Sequence, residues 1–316
     1  MSMTYTRRDL GKLALATLPA AKLFAKPNSK FSGVQVGINA PYSFRGMPGG
    51  ADDILAYMTK LNLSAAELRL QPVEGFLKAP VPGPAGTARA PLTPQQEAER
   101  KAKIAELQKW RLSQSMEPFK AFRKKYEDAG VLIEIVKFDG IDGMTDDVVD
   151  YCFQVAKALG AKAISCEIPV SRTKRLGAFG DRHKVMIGYH GHANITDPEA
   201  FGRPEAWETA FGFAKYNGAN LDLGHFIAGN GFSPVPFLRK HRDRITHIHL
   251  KDRKKDNGPN VFWGQVDTPV VEVLRLMQKE KWNFQATIEF EYPTPEGSDV
   301  LAEIGKCVEF CRKALA

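Results

Sequence analysis

Asn220-Leu-Asp-Leu-Gly-His-Phe226 decides how the rest of the chain is read. Leu221 and Leu223 alternate with Asp222, which predicts a buried strand with an inward carboxylate near its end. Gly224 is expected to turn the chain, leaving His225 on a loop. An acid at the mouth of a parallel strand, with an imidazole beside it, is where an α/β barrel assembles its chemistry.

Outward from that point, short apolar runs alternate with helical patterns. The runs are Val34–Ile38, Ala65–Arg69, Val131–Val136, Ala163–Ile168, Met186–His190, Ala219–Leu223, Ile245–Leu250 and Gln285–Phe290. Nearly continuous apolar runs are the mark of parallel strands covered on their outer side. Helical patterns at Asp52–Leu61, Thr145–Leu159, Thr268–Glu280 and Ser298–Ala314 separate them. Eight strands with crossovers predict an α/β fold, a (β/α)8 TIM barrel. A doubly wound sheet would carry a Gly-rich phosphate turn after its first strand, and none is present. One connection is abnormal. Between the second and third strands, Lys78 to Pro94 is rich in Pro and Gly, and Gln95 to Ala129 is charged and helix-favouring. Leu107, Trp110, Met116, Phe119 and Phe122 form its apolar face. A long Pro-rich loop leaving the C-terminal end of a strand is a lid candidate, with a rigid surface excursion as the alternative reading.

The chain has 316 residues, 43% hydrophobic and 25% charged, and a formal charge of +8. That length is compatible with one barrel. Thr6-Arg7-Arg8-Asp9-Leu10-Gly11-Lys12, followed by the mildly apolar Leu13–Ala25, is a twin-arginine pattern. Residues 1–25 are therefore expected to be a signal peptide, 26–316 the barrel domain, and the destination the periplasm. Removing 1–25 takes away four basic residues and one acid, so +8 becomes +5. No basic block remains, which excludes nucleic acid as an expected partner. No later stretch is long and apolar enough to span a membrane. Cys152 and Cys166 read as core residues. Cys307 and Cys311, four apart on a helix, are poorly placed for a disulfide, and no thiolate metal pattern exists.

The polar residues at the strand ends are of one kind: Glu167, His190, His192, Asp222, His225, His247, His249, Asp252, Glu289 and Glu291. Five of the seven histidines fall in this set, which a random scatter would not produce. Alternation puts His247 and His249 on one face of their strand, and Glu289 and Glu291 on one face of the last. Carboxylates inside a barrel are costly unless paired or bound to a cation. Asp222, Glu289 and Glu167 around His249 resolve that cost as a mixed nitrogen and oxygen site for one divalent metal, Mn²⁺, Co²⁺, Mg²⁺ or Zn²⁺.

At these residues the chain resembles the xylose isomerase-like TIM barrel superfamily, the sugar phosphate isomerase/epimerase-type proteins. Tyr189-His-Gly-His192, Asn220-Leu-Asp-Leu-Gly-His225, His247-Ile-His-Leu-Lys-Asp252, Trp263-Gly-Gln265 and Thr287-Ile-Glu-Phe-Glu-Tyr292 carry the resemblance. It implies one divalent cation on four ligands, with Asp222, His249 and Glu289 matched directly. In the ketose epimerase branch the fourth ligand is a glutamate where this chain has His190. Inosose-dehydratase-like members carry paired histidines there and take the glutamate from the preceding strand, which makes Glu167 the expected fourth ligand and leaves His190 as the alternative.

The resemblance also implies the chemistry: removal of a proton from carbon beside a carbonyl, giving an enediolate. Glu289 or Glu167 would be the base. His190, His192 and His225 would hold hydroxyls or return the proton. Lys251 and Arg69 would meet an acidic group, or Lys251 would only pair with Asp252, and Trp263 would line the substrate site. A sugar isomerase or epimerase is the leading expectation. A dehydratase or lyase on a keto-sugar or cyclitol, and a non-catalytic exported sugar-binding protein, are its alternatives. The expected partner is a small sugar or keto-sugar, and a homo-oligomer is compatible with the sequence.

Overall fold

The computed structural model describes residues 26–81 and 91–316. The twin-arginine segment and the tip of the Pro-rich loop lie outside the described residues.

Eight parallel strands close on themselves. They are β1 (Val34–Ala40), β2 (Ala65–Arg69), β3 (Leu132–Lys137), β4 (Ala163–Cys166), β5 (Met186–His190), β6 (Asn217–Asp222), β7 (Ile245–Leu250) and β8 (Gln285–Ile288). Each pairs in parallel with the strand before and after it, and β8 pairs with β1, so the sheet has no free barrel edge. The short strand Lys30–Phe31 runs antiparallel to the start of β1.

Amphipathic helices cover the outside. The helix Asp146–Ala158 buries Val148, Val149, Cys152, Phe153, Val155 and Ala156 on one side, a periodicity of 3.6 that seats it on the sheet. Each such aliphatic or aromatic side chain contributes roughly 1.5–3 kcal/mol. The barrel interior is unusual in the other direction. Asn39, Glu67, Ser165, Asn220, His247, His249 and Thr287 are fully buried, where the branched apolar residues of a packed barrel commonly sit.

The long connection between β2 and β3 holds a short helix directly after β2, Leu70–Phe76, and then two helices, Pro94–Ser113 and Glu117–Asp128, rather than one continuous pattern. Thr93 caps the first through a reciprocal pair with Gln96, the two bonds being 3.2 and 2.9 Å. Pro118 near the start of the second suits a new helix N-terminus. Of the expected apolar face, Leu107, Phe119 and Phe122 are buried, and Trp110 and Met116 pack partly against the core. Arg111 grips Glu74 with two bonds of 2.7 and 2.9 Å, fastening the inserted helix to the one after β2. All four cysteines are free and buried. Among the described residues, no helix is long and apolar enough to cross a membrane.

Candidate metal centre and active site

The strand ends bring four buried ligand-type side chains together. One donor atom each from His190, Asp222, His249 and Glu289 lies within 4.8 Å of the others. His249 Nδ1 is 3.2 Å from Glu289 Oε1 and 3.7 Å from Asp222 Oδ2. Bonds of about 2.0–2.2 Å to a tetrahedral ion put ligand atoms roughly 3.4 Å apart, so only small closure is needed. His190 Nδ1 and His249 Nδ1 are buried without any hydrogen-bond partner, and Asp222 Oδ2 has only an ion-pair contact with Lys251. Buried polar atoms are nearly always satisfied. Two unpartnered imidazole nitrogens converging with two carboxylates fit a divalent cation held by all four residues.

The local fold explains each position. Asp222 ends β6 and accepts the backbone N–H of His225 at 2.6 Å, so it caps the helix Leu223–Asn230. His225 is therefore in the first turn of a helix, not on a loop. The Asp222 cap starts that helix at Leu223 and overrides the expected Gly224 turn. Gly224 has a different use: a Cβ there would lie 2.3 Å from Lys251 Cγ. Its absence lets Lys251 run past the helix into the site.

Lys251 is fully buried, and its Nζ contacts Asp222 Oδ2 at 2.9 Å, together with Glu289 and Glu291. It does not pair with Asp252. The Asp252 carboxylate instead accepts from the backbone N–H groups of Gly264, Gln265 and Val266 at 2.8, 3.0 and 3.2 Å, which holds the loop carrying Trp263. Trp263 packs edge-on against Phe310 of the last helix, with ring centroids 5.8 Å apart. His225 lies between two cations, Lys251 Nζ at 3.1 Å from Nε2 and Arg253 Nη1 at 2.6 Å from Nδ1.

Glu167 is outside the convergent four. Its Oε1 meets Lys137 Nζ at 2.5 Å, and its Oε2 is 3.9 Å from His192 Nε2. It is partly exposed, and so is His192, whose ring stands perpendicular to His190 at 4.8 Å. Arg69 binds Asp139 at 2.6 Å and stacks over Tyr42. Three residues the sequence reading missed complete the surroundings. Asn39 donates to Glu289 Oε1 at 2.8 Å, Tyr42 donates to Glu291 Oε1 at 2.6 Å, and Glu67 Oε2 lies 2.5 Å from His249 Nε2. Strand parity did not single out Glu67, because its alternate neighbour is Arg69 and the register of β2 against β3 shifts between Ala66 and Glu67.

Charge is divided unevenly across this group. Burial raises Asp222 above the usual carboxylate range, with Glu289 adding to it and Lys251 opposing it. Burial would raise Glu289 too, but Lys251 and His249 outweigh it and hold it well below. Two carboxylates sharing one site are commonly driven apart in this way. Burial lowers His190 well below its ordinary value, with His249 and Lys137 adding to it, so its ring is neutral and free to ligate. Burial lowers His225 likewise, reinforced by Lys251. Burial alone would lower His249, yet Glu289 and Glu67 raise it to about 10.

No protein-family model matches the chain, and no curated protein resembles it in sequence. Solved structures do match. A xylose isomerase domain protein from Alicyclobacillus acidocaldarius superposes with a TM-score of 0.61 at 13% identity, over 89% of this chain and 99% of that one. The 3-keto-D-glucoside 4-epimerase of E. coli gives 0.58 at 11%, over 89% and 99%. An IolI protein with a bound zinc atom gives 0.57 at 13%, over 89% and 96%. The chain thus shares the TIM-barrel fold of these proteins. Identities this low establish the architecture and leave the activity to the site itself.

Proposed function

We propose that this chain is a divalent-metal-dependent sugar isomerase or epimerase that removes a proton from carbon beside a carbonyl. The observation that carries the reading is the convergence of His190, Asp222, His249 and Glu289, all buried, with the Nδ1 atoms of both histidines lacking a hydrogen-bond partner. The shared fold with an epimerase and with a zinc-bound neighbour supports it. The ligand chemistry suits Mn²⁺, Co²⁺, Mg²⁺ or Zn²⁺, with His190 rather than Glu167 as the fourth ligand.

A divalent cation in this place would supply Lewis-acid stabilisation of charge developing on a carbonyl oxygen. The chain's own residues do the rest. Glu289, kept ionised by Lys251 and His249, would serve as the base. Glu167 and His192, partly exposed and 3.9 Å apart, form a second proton-carrying pair toward solvent. Return of the proton to the opposite face gives an epimer, and to the adjacent carbon an isomer. Lys251 and Arg253 hold the neutral His225 between them, so its ring serves as a wall of the site. Arg69 is already paired with Asp139, so a hydroxyl-rich, uncharged sugar fits better than an acidic one. Export by the twin-arginine route to the periplasm, where free sugars rather than sugar phosphates are met, belongs to the same proposal. His192 near the mouth also offers a proton for a leaving hydroxyl, which would make the enzyme a dehydratase or lyase.

The test is incubation of the metal-loaded protein with sugars and 3-keto-sugars in deuterated buffer, followed by NMR. Exchange at a carbon beside a carbonyl is expected, lost in Asp222→Ala, and a new olefinic signal would identify the lyase outcome. Tight sugar binding with no exchange in any substrate would overturn the catalytic reading in favour of a binding protein.

A further inference from the structure

We infer that Glu67 is a positioning residue that fixes which nitrogen of His249 faces the metal centre. The inference rests on the metal-centre reading above and extends it to a strand that contributes no ligand.

The two nitrogens of His249 have different surroundings. Nδ1 points toward Glu289 and Asp222, at 3.2 and 3.7 Å. Nε2 meets Glu67 Oε2 at 2.5 Å. An ionised carboxylate only accepts hydrogen bonds. The nitrogen touching Glu67 therefore carries the proton, and the lone pair of a neutral His249 is left on Nδ1, on the side of the convergent ligands; the Asn220 amide, 3.1 Å from the same Nε2, fits this tautomer when its otherwise unpartnered oxygen is the atom turned toward the ring. Both side chains are fully buried, so no solvent competes for that hydrogen bond.

Glu67 reaches His249 from across the barrel. Its strand, β2, pairs with β1 and β3 and has no backbone contact with β7. A carboxylate in the interior is costly without partners, and those it has are imidazoles. His247 Nε2 lies 3.4 Å from Glu67 Oε1, and neither of these two atoms has a hydrogen-bond partner. The acid is thus braced between two histidines of one strand, and one of them faces the site. A carboxylate behind a ligating imidazole sets its tautomer and orientation, and losing such a partner typically costs about 10–100-fold in metal affinity.

The alternative is a buried ion pair that only fills the barrel. The experiment separates the two by titrating metal-stripped protein with Mn²⁺ and Zn²⁺ in a calorimeter, for the parent, Glu67→Gln, Glu67→Asp and Glu67→Leu. Gln keeps an acceptor at the same reach without the charge, and is expected to bind within about 3-fold of the parent. Leu removes the acceptor and is expected to bind about 10–100-fold more weakly. Asp keeps the charge but is one methylene shorter, and is expected to fall below Gln. Imidazole ¹⁵N NMR of the zinc-loaded protein gives a second readout: the Nε2–H form of His249 in parent and Gln, lost in Leu. Binding by Leu as tight as the parent's would overturn the inference, and so would Asp binding tightly where Gln does not. If Leu fails to fold by circular dichroism, the Gln and Asp comparison decides alone. A parent that binds no metal sinks the functional reading and this inference with it, whereas a binding parent with an unaffected Leu variant sinks only the inference.

Discussion

Replacing Lys251 by Met keeps the buried volume and removes one charge from the middle of three carboxylates. In the metal-free protein Lys251 Nζ lies 2.9 Å from Asp222 Oδ2 and also contacts Glu289 and Glu291, with its side chain only 1% exposed. Removing one partner of a buried ion pair typically costs about 3–5 kcal/mol, because the remaining charges stay buried. For domains of 150–250 residues, 1 kcal/mol moves Tm by roughly 2–4 °C. The metal-free variant is therefore expected to melt roughly 6–20 °C below the parent. Metal should reverse the order of the effect. The ammonium and the proposed cation share Asp222 and Glu289, so they repel each other at short range. Two unit charges about 4 Å apart interact by about 4 kcal/mol at an effective dielectric of about 20. Even a fraction of that is worth tenfold or more in Kd.

The assay is a thermal melt of chelator-treated parent and variant, each with and without excess MnCl₂ or ZnCl₂, followed by calorimetric Kd values. At 100 times Kd, a ligand adds about 2.7 kcal/mol to stability. The expected result is a larger metal-induced shift in Lys251→Met than in the parent, with much of the lost stability recovered. A metal-induced shift no greater than the parent's refutes the argument that the ammonium and the cation compete for the same two carboxylates. A metal-free Tm within about 2 °C of the parent's would refute the ion-pair cost itself.

Three further outcomes are expected. His249 has a folded pKa of about 10, raised by Glu289 and Glu67 against burial, above the ordinary value of about 6.5. Its contribution is complete below about pH 6.5 and is lost as pH rises through about 10. Urea midpoints of the metal-free protein should therefore fall across that window, and more steeply than in His249→Gln. Arg111→Ala should cost about 3–5 kcal/mol in urea melts by stranding the buried Glu74, and adding Glu74→Leu should recover a large part; a loss under 1 kcal/mol would show the pair is not needed. Burial pushes the thiols of Cys152 and Cys307 up to about 12, and raises those of Cys166 and Cys311 further. None of the four should react with iodoacetamide at pH 8 in the native protein, and all should react in denaturant.

The barrel was legible because its strands are apolar runs bounded by turn signals, and a parallel sheet buries both of its faces. The ligands were legible where side-chain parity applied. His249 lies within a strand whose alternating partners are apolar, so its inward direction follows from a period of two; Glu289 lies one residue past β8, but its N–H still bonds Leu250 O at 3.1 Å, which carries the ladder and its parity on to it. Glu167 shows where that rule stops. The ladder of β4 ends at Cys166, so Glu167 is past the region where parity fixes direction. The buried Lys137 of the adjacent strand then draws its carboxylate away from the other ligands. No local pattern in the sequence announces that pairing, because it joins residues thirty apart. Glu67 was hidden for a different reason. A single acid in Ala65–Arg69 shares its parity with an arginine, so the run does not say whether that face meets the interior or the solvent. Only closure of the barrel, which sets β2 across from β7, gives Glu67 its partner.

The replacement of a carboxylate by His190 changes the charge of the proposed centre. Asp222 and Glu289 supply two negative charges, and His190 and His249 bind as neutral imidazoles, so a divalent cation would make the four-ligand group neutral. A third carboxylate in place of His190 would leave it at minus one. Lys251 and Glu291 form an adjoining pair of opposite charge and do not alter that sum. An enediolate develops negative charge on its oxygens, and in a buried site each uncompensated carboxylate opposes that development over short distances. His190 therefore relieves the repulsion that a third acid would impose. The same substitution takes away a metal-bound base on that side of the substrate. Proton transfer there falls to residues outside the ligand set, which is where Glu167 lies, paired with Lys137 and beside His192.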